Sequence, residues 1–171
     1  MKVNNNKTDI KRPAPTRSIL ALDTATKCGW AIWSNGHIDK SGTINLTAPR
    51  QGRKLRKFRD WLQSTIQQHH ITEIVAEDIF YTKYKQKAFW SLGAMRGIIM
   101  LVAECADIPV TFIPPSEHKH YLCHSYFAKK EDTQKALQRL GYGLIEDNDE
   151  ADAIALLLTH LKFNGNPSRK R

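Results

Sequence analysis

Two short apolar runs in this chain each end on a carboxylate: Ser18-Ile-Leu-Ala-Leu leads into Asp23, and Ile74-Val-Ala leads into Glu77. Runs this short and this apolar read as buried strands. An unpaired carboxylate at the end of such a strand is costly. The surrounding pattern says how the two strands meet. Gly29 to Ser34 is a second strand, Asn35-Gly36 is the favoured type I′ hairpin turn, and His37 to Leu46 returns as a third. Pro49 and Gly52 break that run. A helix follows from about Arg53 to His69, with Leu55, Phe58, Leu62 and Ile66 as its apolar stripe. Thr72 to Glu77 is the fourth strand. Lys87 to Ala106 is a second helix, apolar enough to be well buried. Val110 to Ile113 is the fifth strand, stopped by Pro114-Pro115. Short helices follow around Ser116 to Phe127 and Glu131 to Leu140, the latter ended by Gly141 and Gly143, and a last helix runs from Asp149 to Lys162.

Three strands in a meander, then alternating helix and strand, predict an α/β fold with a five-stranded mixed sheet flanked by helices. β-α-β logic makes the first strand central and the fourth its parallel neighbour. Asp23 and Glu77 then lie at the same C-terminal edge, where open α/β sheets hold ligands. Asp149 and Asp152, spaced i, i+3, project from one face of the last helix. Singly, these acids have ordinary explanations: Asp149 as a helix N-cap, Asp152 at the positive helix end, Asp23 in a turn. Clustered, they would repel one another unless neutralised. Converging carboxylate oxygens bind hard divalent cations, so the set reads as a site for magnesium, with manganese as a substitute. Two such ions roughly 4 Å apart can drive phosphodiester hydrolysis. A formal net charge of +9 over 171 residues and a pI near 9.6 make a nucleic acid the fitting polyanion.

The length favours one domain, residues 18–163, between a polar basic arm (1–17) and a basic tail (164–171), both expected to be disordered. Three widely spaced cysteines, Cys28, Cys105 and Cys123, fit a reducing compartment, read here as the cytoplasm. The longest apolar run, Gly97 to Ala103, is too short to span a bilayer, and the first residues lack the h-region of a secretory signal.

The motifs together resemble the RuvC family of Holliday-junction resolvases, within the RNase H-like nuclease fold. Ile19-Leu-Ala-Leu-Asp23-Thr-Ala-Thr-Lys-Cys-Gly29-Trp-Ala-Ile32 is similar to that family's first strand, loop and second strand. Ile74-Val-Ala-Glu77-Asp-Ile-Phe80 resembles its acidic fourth strand, and Ser91-Leu-Gly93-Ala-Met-Arg96-Gly97 its second-helix signature. Asp149-Glu-Ala-Asp152-Ala-Ile-Ala155 with Thr159-His160 resembles its C-terminal helix. The resemblance covers about residues 18 to 162. It implies a homodimeric, metal-dependent endonuclease acting on four-way DNA junctions, with Asp23, Glu77, Asp149 and Asp152 as catalytic metal ligands. Some members carry His at the position of Asp149. One departure stands out: Thr24-Ala25 replace the family's Pro-Gly, a variant similar to a divergent phage or prophage branch.

The segment Phe80-Tyr81-Thr-Lys83-Tyr84-Lys85-Gln-Lys87 interleaves aromatics with cations directly after Glu77. That composition suits base stacking plus phosphate contact, and the resemblance implies that Phe80 probes bases at the junction centre. It also matches Lys119 and the pair Lys129-Lys130 to phosphate-binding lysines. The cations Arg50, Arg53, Lys54, Arg56, Lys57 and Arg59 read instead as a solvated helix face. His118, His120, Cys123 and His124 have spacings zinc can use, but they read as surface histidines near DNA. Gly93, Ala94 and Gly97 allow close helix approach, and the resemblance implies a dimer built partly there. Two rivals remain at this level: an actin-like or threonylcarbamoyl-transfer partner protein, from Leu22-Asp-Thr-Ala-Thr26, and a non-catalytic branched-DNA-binding protein.

Overall fold

The computed structural model describes residues 16–79 and 86–165, apart from the side chains of Lys130 and residues 163–165. Among these residues, five strands, β1 (Ser18–Asp23), β2 (Lys27–Ser34), β3 (His37–Asn45), β4 (Glu73–Glu77) and β5 (Val110–Ile113), form one sheet in the order β3-β2-β1-β4-β5. β1 pairs antiparallel with β2 and parallel with β4; β2–β3 is antiparallel and β4–β5 parallel. This is the mixed sheet the sequence predicts. Asn35 (φ 52°) and Gly36 (φ 88°) both take positive φ, as the type I′ hairpin between β2 and β3 requires.

Among the described residues, five helices flank the sheet: α1 (Gln51–Gln68), α2 (Gln86–Cys105), α3 (Pro115–Cys123), α4 (Lys130–Arg139) and α5 (Asn148–Gly165). Side chains alternate across β1, and the core divides accordingly. Leu20 and Leu22 join Phe58 and Leu62 of α1 and Met95 and Ile99 of α2 on one face. Ile19 and Ala21 join Ile154 and Leu157 of α5 and Leu137 of α4 on the other. A strand buried on both faces has to be apolar at every position, which is why β1 reads as an unbroken run.

Two expectations change. α2 is not well buried: Met95, Ile99, Val102 and Ala103 enter the core, while Trp90 (72%), Met100 (53%) and Leu101 (57%) stay exposed. Its length and composition would also pass for a membrane span, yet one side of it belongs to this core. The cationic face of α1 is not wholly solvated either. Lys54 is only 8% exposed, and its Nζ donates to Thr26 Oγ1 (3.1 Å) and Ser91 Oγ (3.3 Å). The buried stripe of α1 starts at Lys54, one turn before Phe58. Residues 1–15 of the expected arm and 166–171 of the expected tail lie outside the described residues.

Candidate active site

Asp23 is the last residue of β1 and faces Gly29 across the antiparallel pair. The parallel register aligns Leu22 with Ala76, so the next step along both strands sets Asp23 beside Glu77, the last residue of β4. Alternation along the strands puts both acids on the face that carries Ala21 and Val75, the face α5 covers. Three carboxylate positions meet there, because the first turn of α5 rests on Gly29. A Cβ on Gly29 would lie 1.8 Å from the Asp149 carbonyl oxygen. Only a glycine lets the helix end come so near the strand.

Asp147 caps α5: its Oδ1 accepts the Asp149 N–H at 3.0 Å, and its carboxylate pairs with Lys27 at the start of β2. Lys27 chiefly holds the Asp147 carboxyl below the usual range. The capping role that Asp149 could have filled thus belongs to Asp147. Ser41 Oγ donates to Glu150 Oε1 at 2.6 Å, tying β3 to the same turn. Asp152 lies one turn further on and is buried.

Electrostatics ties these groups to one neighbourhood. Burial pushes the Cys28 thiol up, and the negative charges of Asp23 and Asp149 push it further. Cys123, at the end of α3, is raised mainly by burial, with Asp152 among the acids adding to it. Among the described residues, no three His, Cys, Asp or Glu side chains stand close enough to ligate one ion as they lie. The convergence is one of positions on a shared edge. The donor set consists of carboxylates alone, which fits a hard divalent cation and not zinc's usual nitrogen and sulfur ligands.

The loop after Asp23 is anchored without Pro-Gly. Thr24 is buried, the Thr26 carbonyl accepts the Leu46 N–H at 2.8 Å, and the Thr26 hydroxyl accepts from Lys54. Burial lowers the Lys54 pKa. Beyond Glu77, Asp78 pairs with Arg96, whose guanidinium lies 3.4 Å from the centre of the Phe112 ring. That gives Arg96 of the second-helix motif a fixed place at the sheet edge.

His118 is not a surface histidine. It is 1% exposed, and its Nδ1 lies 3.8 Å from Glu77 Oε1. Burial pushes its pKa down to about 4, with the Lys119 charge adding to the shift. His120 and His124 are exposed, and His120 stacks on Tyr126 at 4.1 Å. Sequence reasoning missed both His118 and Lys54. The signal was helical spacing: His118 is one turn from Leu122, which packs in the α5-side core, and Lys54 is one turn from Phe58.

Of the expected DNA contacts, Phe80, Tyr81, Lys83 and Lys85 lie outside the described residues, as does the side chain of Lys130. Lys87 is exposed in the first turn of α2, and Lys119 is half-buried on α3. Lys129 is exposed at the N-cap of α4, where its backbone N–H donates to Asp132 Oδ2 at 2.9 Å.

Comparison with known proteins places the chain in a family. The family model described as crossover junction endodeoxyribonuclease RuvC matches residues 19–160. A crossover junction endodeoxyribonuclease RuvC from Brevibacillus brevis is 31% identical over 161 residues, covering 85% of this chain and 92% of that protein. The structure of Thermus thermophilus RuvC superposes with a TM-score of 0.72 at 18% identity, covering 86% of this chain and 95% of that one. T. thermophilus RuvC in complex with Holliday junction substrate also gives 0.72, at 17% identity and with coverage of 87% and 95%.

Proposed function

The chain belongs to the RuvC family of crossover junction endodeoxyribonucleases, with the RNase H-like fold, and we propose that it resolves four-way DNA junctions through a magnesium site formed by Asp23, Glu77, Asp149 and Asp152. It is a hydrolase acting on DNA, so the actin-like and non-catalytic readings fall away. The observation that carries the site is the strand register: Leu22 beside Ala76 brings Asp23 level with Glu77, on the face where α5 lays Asp149 against Gly29.

When bound, divalent cations supply Lewis acidity to phosphodiester hydrolysis, with manganese able to replace magnesium. The chain's own part is positioning. β1 and β4 hold Asp23 and Glu77 on a rigid sheet edge, and Asp147 with Lys27 fixes the helix turn that carries Asp149. Lys87, Lys119 and Lys129, with Lys130 and the segment Phe80, Tyr81, Lys83 and Lys85, are the groups for phosphate and unpaired bases. The junction itself is the substrate seen with T. thermophilus RuvC. A second copy of the chain, docked on the exposed side of α2, would supply the second active site that two symmetric strands need. The compartment is the cytoplasm.

Asp23→Asn should abolish magnesium-dependent cutting of a four-way junction and leave binding of that junction intact. Cutting by Asp23→Asn at the wild-type rate would refute the site.

A further inference from the structure

We propose that His118 is a positioning residue for Glu77, a buried imidazole donor that fixes the carboxylate in the orientation a divalent cation needs. The inference rests on the reading of Glu77 as a metal ligand. β5 pairs with β4 so that Ile113 faces Glu77. Pro114 and Pro115 follow at once; Pro115 opens α3, and the Glu117 N–H closes the first turn onto the Pro114 carbonyl at 3.0 Å. This stiff connection leaves His118 little choice of place. Its ring is shut away from water, and neither ring nitrogen has a hydrogen-bond partner among the described residues.

A buried imidazole without a hydrogen bond costs free energy that valine in its place would spare. Its nearest acid is Glu77, at 3.8 Å from Nδ1. A closure of about 1 Å would bring the pair into hydrogen-bond range. The Glu77 side chain keeps 24% of its surface exposed. A neutral ring has one N–H to donate. Given to one carboxylate oxygen, it restrains the plane of the carboxylate. Outer partners of this kind orient metal-binding carboxylates and sharpen their affinity.

The test uses the full chain and Mn2+ alone, followed by calorimetry, beside thermal melting. His118→Val should weaken Mn2+ binding by on the order of 10–100-fold, with a melting temperature equal to or above wild type. His118→Gln, whose amide can donate one N–H, should recover much of the loss. Wild-type Mn2+ affinity in a folded His118→Val would overturn the proposal, because a merely structural histidine predicts that result. Should His118→Val not fold, the wild-type chain still decides. On adding Mg2+, the 15N resonance of His118 Nδ1 should move to that of a hydrogen-bonded N–H, and an unchanged resonance overturns the proposal. Glu77→Gln is the control for the underlying reading: if it too keeps full Mn2+ affinity, the error lies in the metal site and not in His118.

Discussion

Glu73 and Glu77 begin and end the same strand, and their surroundings differ. Glu73 accepts from Arg17 at 2.9 and 3.1 Å on one oxygen and meets the buried His160 ring at 2.5 Å on the other. His160, then Arg17, hold its carboxyl below the usual range, against the opposing effect of burial. A carboxyl whose folded pKa is depressed contributes stability above its unfolded pKa, and that contribution disappears as pH falls through the folded value. Glu73→Gln should therefore cost about 1–3 kcal/mol at pH 7, and the gap from wild type should narrow as pH drops below about 4.5. Urea unfolding at pH 7 and pH 3.5 would measure it; a gap unchanged between the two would refute the assignment. The motif containing His160 was legible as a motif, but its partner was not, because Glu73 is 87 residues away and only the fold joins them. The same holds for His118. Sequence spacing grouped it with His120, Cys123 and His124, while burial separated it from them and set it beside Glu77.

The elements were readable wherever burial dictates pattern. β1 and β4 are apolar at their centres because the middle of the sheet is covered on both faces, and the α1 stripe follows from packing against one of them. What pattern does not carry is closeness between elements. Gly29 looked like part of a strand motif, yet its missing side chain is what lets α5 bring Asp149 to the edge. Gly29→Ala would press a methyl group onto backbone atoms of Asp149, at 1.8 Å from O and 2.4 Å from C, so the helix turn must move. Overpacking of this kind should cost about 1–3 kcal/mol. Cleavage should fall further than that loss explains, since the displaced turn holds a proposed ligand. Gly52→Ala is the matched control: nothing lies within 4 Å of a Cβ there, and melting should be unchanged or slightly raised. If both variants melt and cut like wild type, the Gly29 contact has no such role.

For the whole molecule, composition was least able to separate a fully buried helix from one with an open side. α2 is apolar on nearly every side, which from sequence alone reads as full burial. Within one chain it has only the packing of one side to offer. Trp90, Gly97, Met100 and Leu101 recur at helical spacings along the open side, and Gly97 has free space where a Cβ would point. A contiguous exposed stripe of this kind is what a second copy would cover. In a two-fold dimer the stripe meets itself, so one charge introduced on it is introduced twice at the same seam. Leu101→Glu should thus convert a dimer into a monomer, read as molar mass by light scattering on a sizing column. Because Leu101 is more than half exposed, the monomer's own fold should melt within about 0.5 kcal/mol of the unmodified subunit. The junction assay then separates assembly from chemistry. With each folded subunit keeping its acidic edge, single nicks should persist while simultaneous paired nicks on a four-way junction are lost. A variant that remains dimeric, or a monomer that still makes paired nicks, would move the partner surface away from α2.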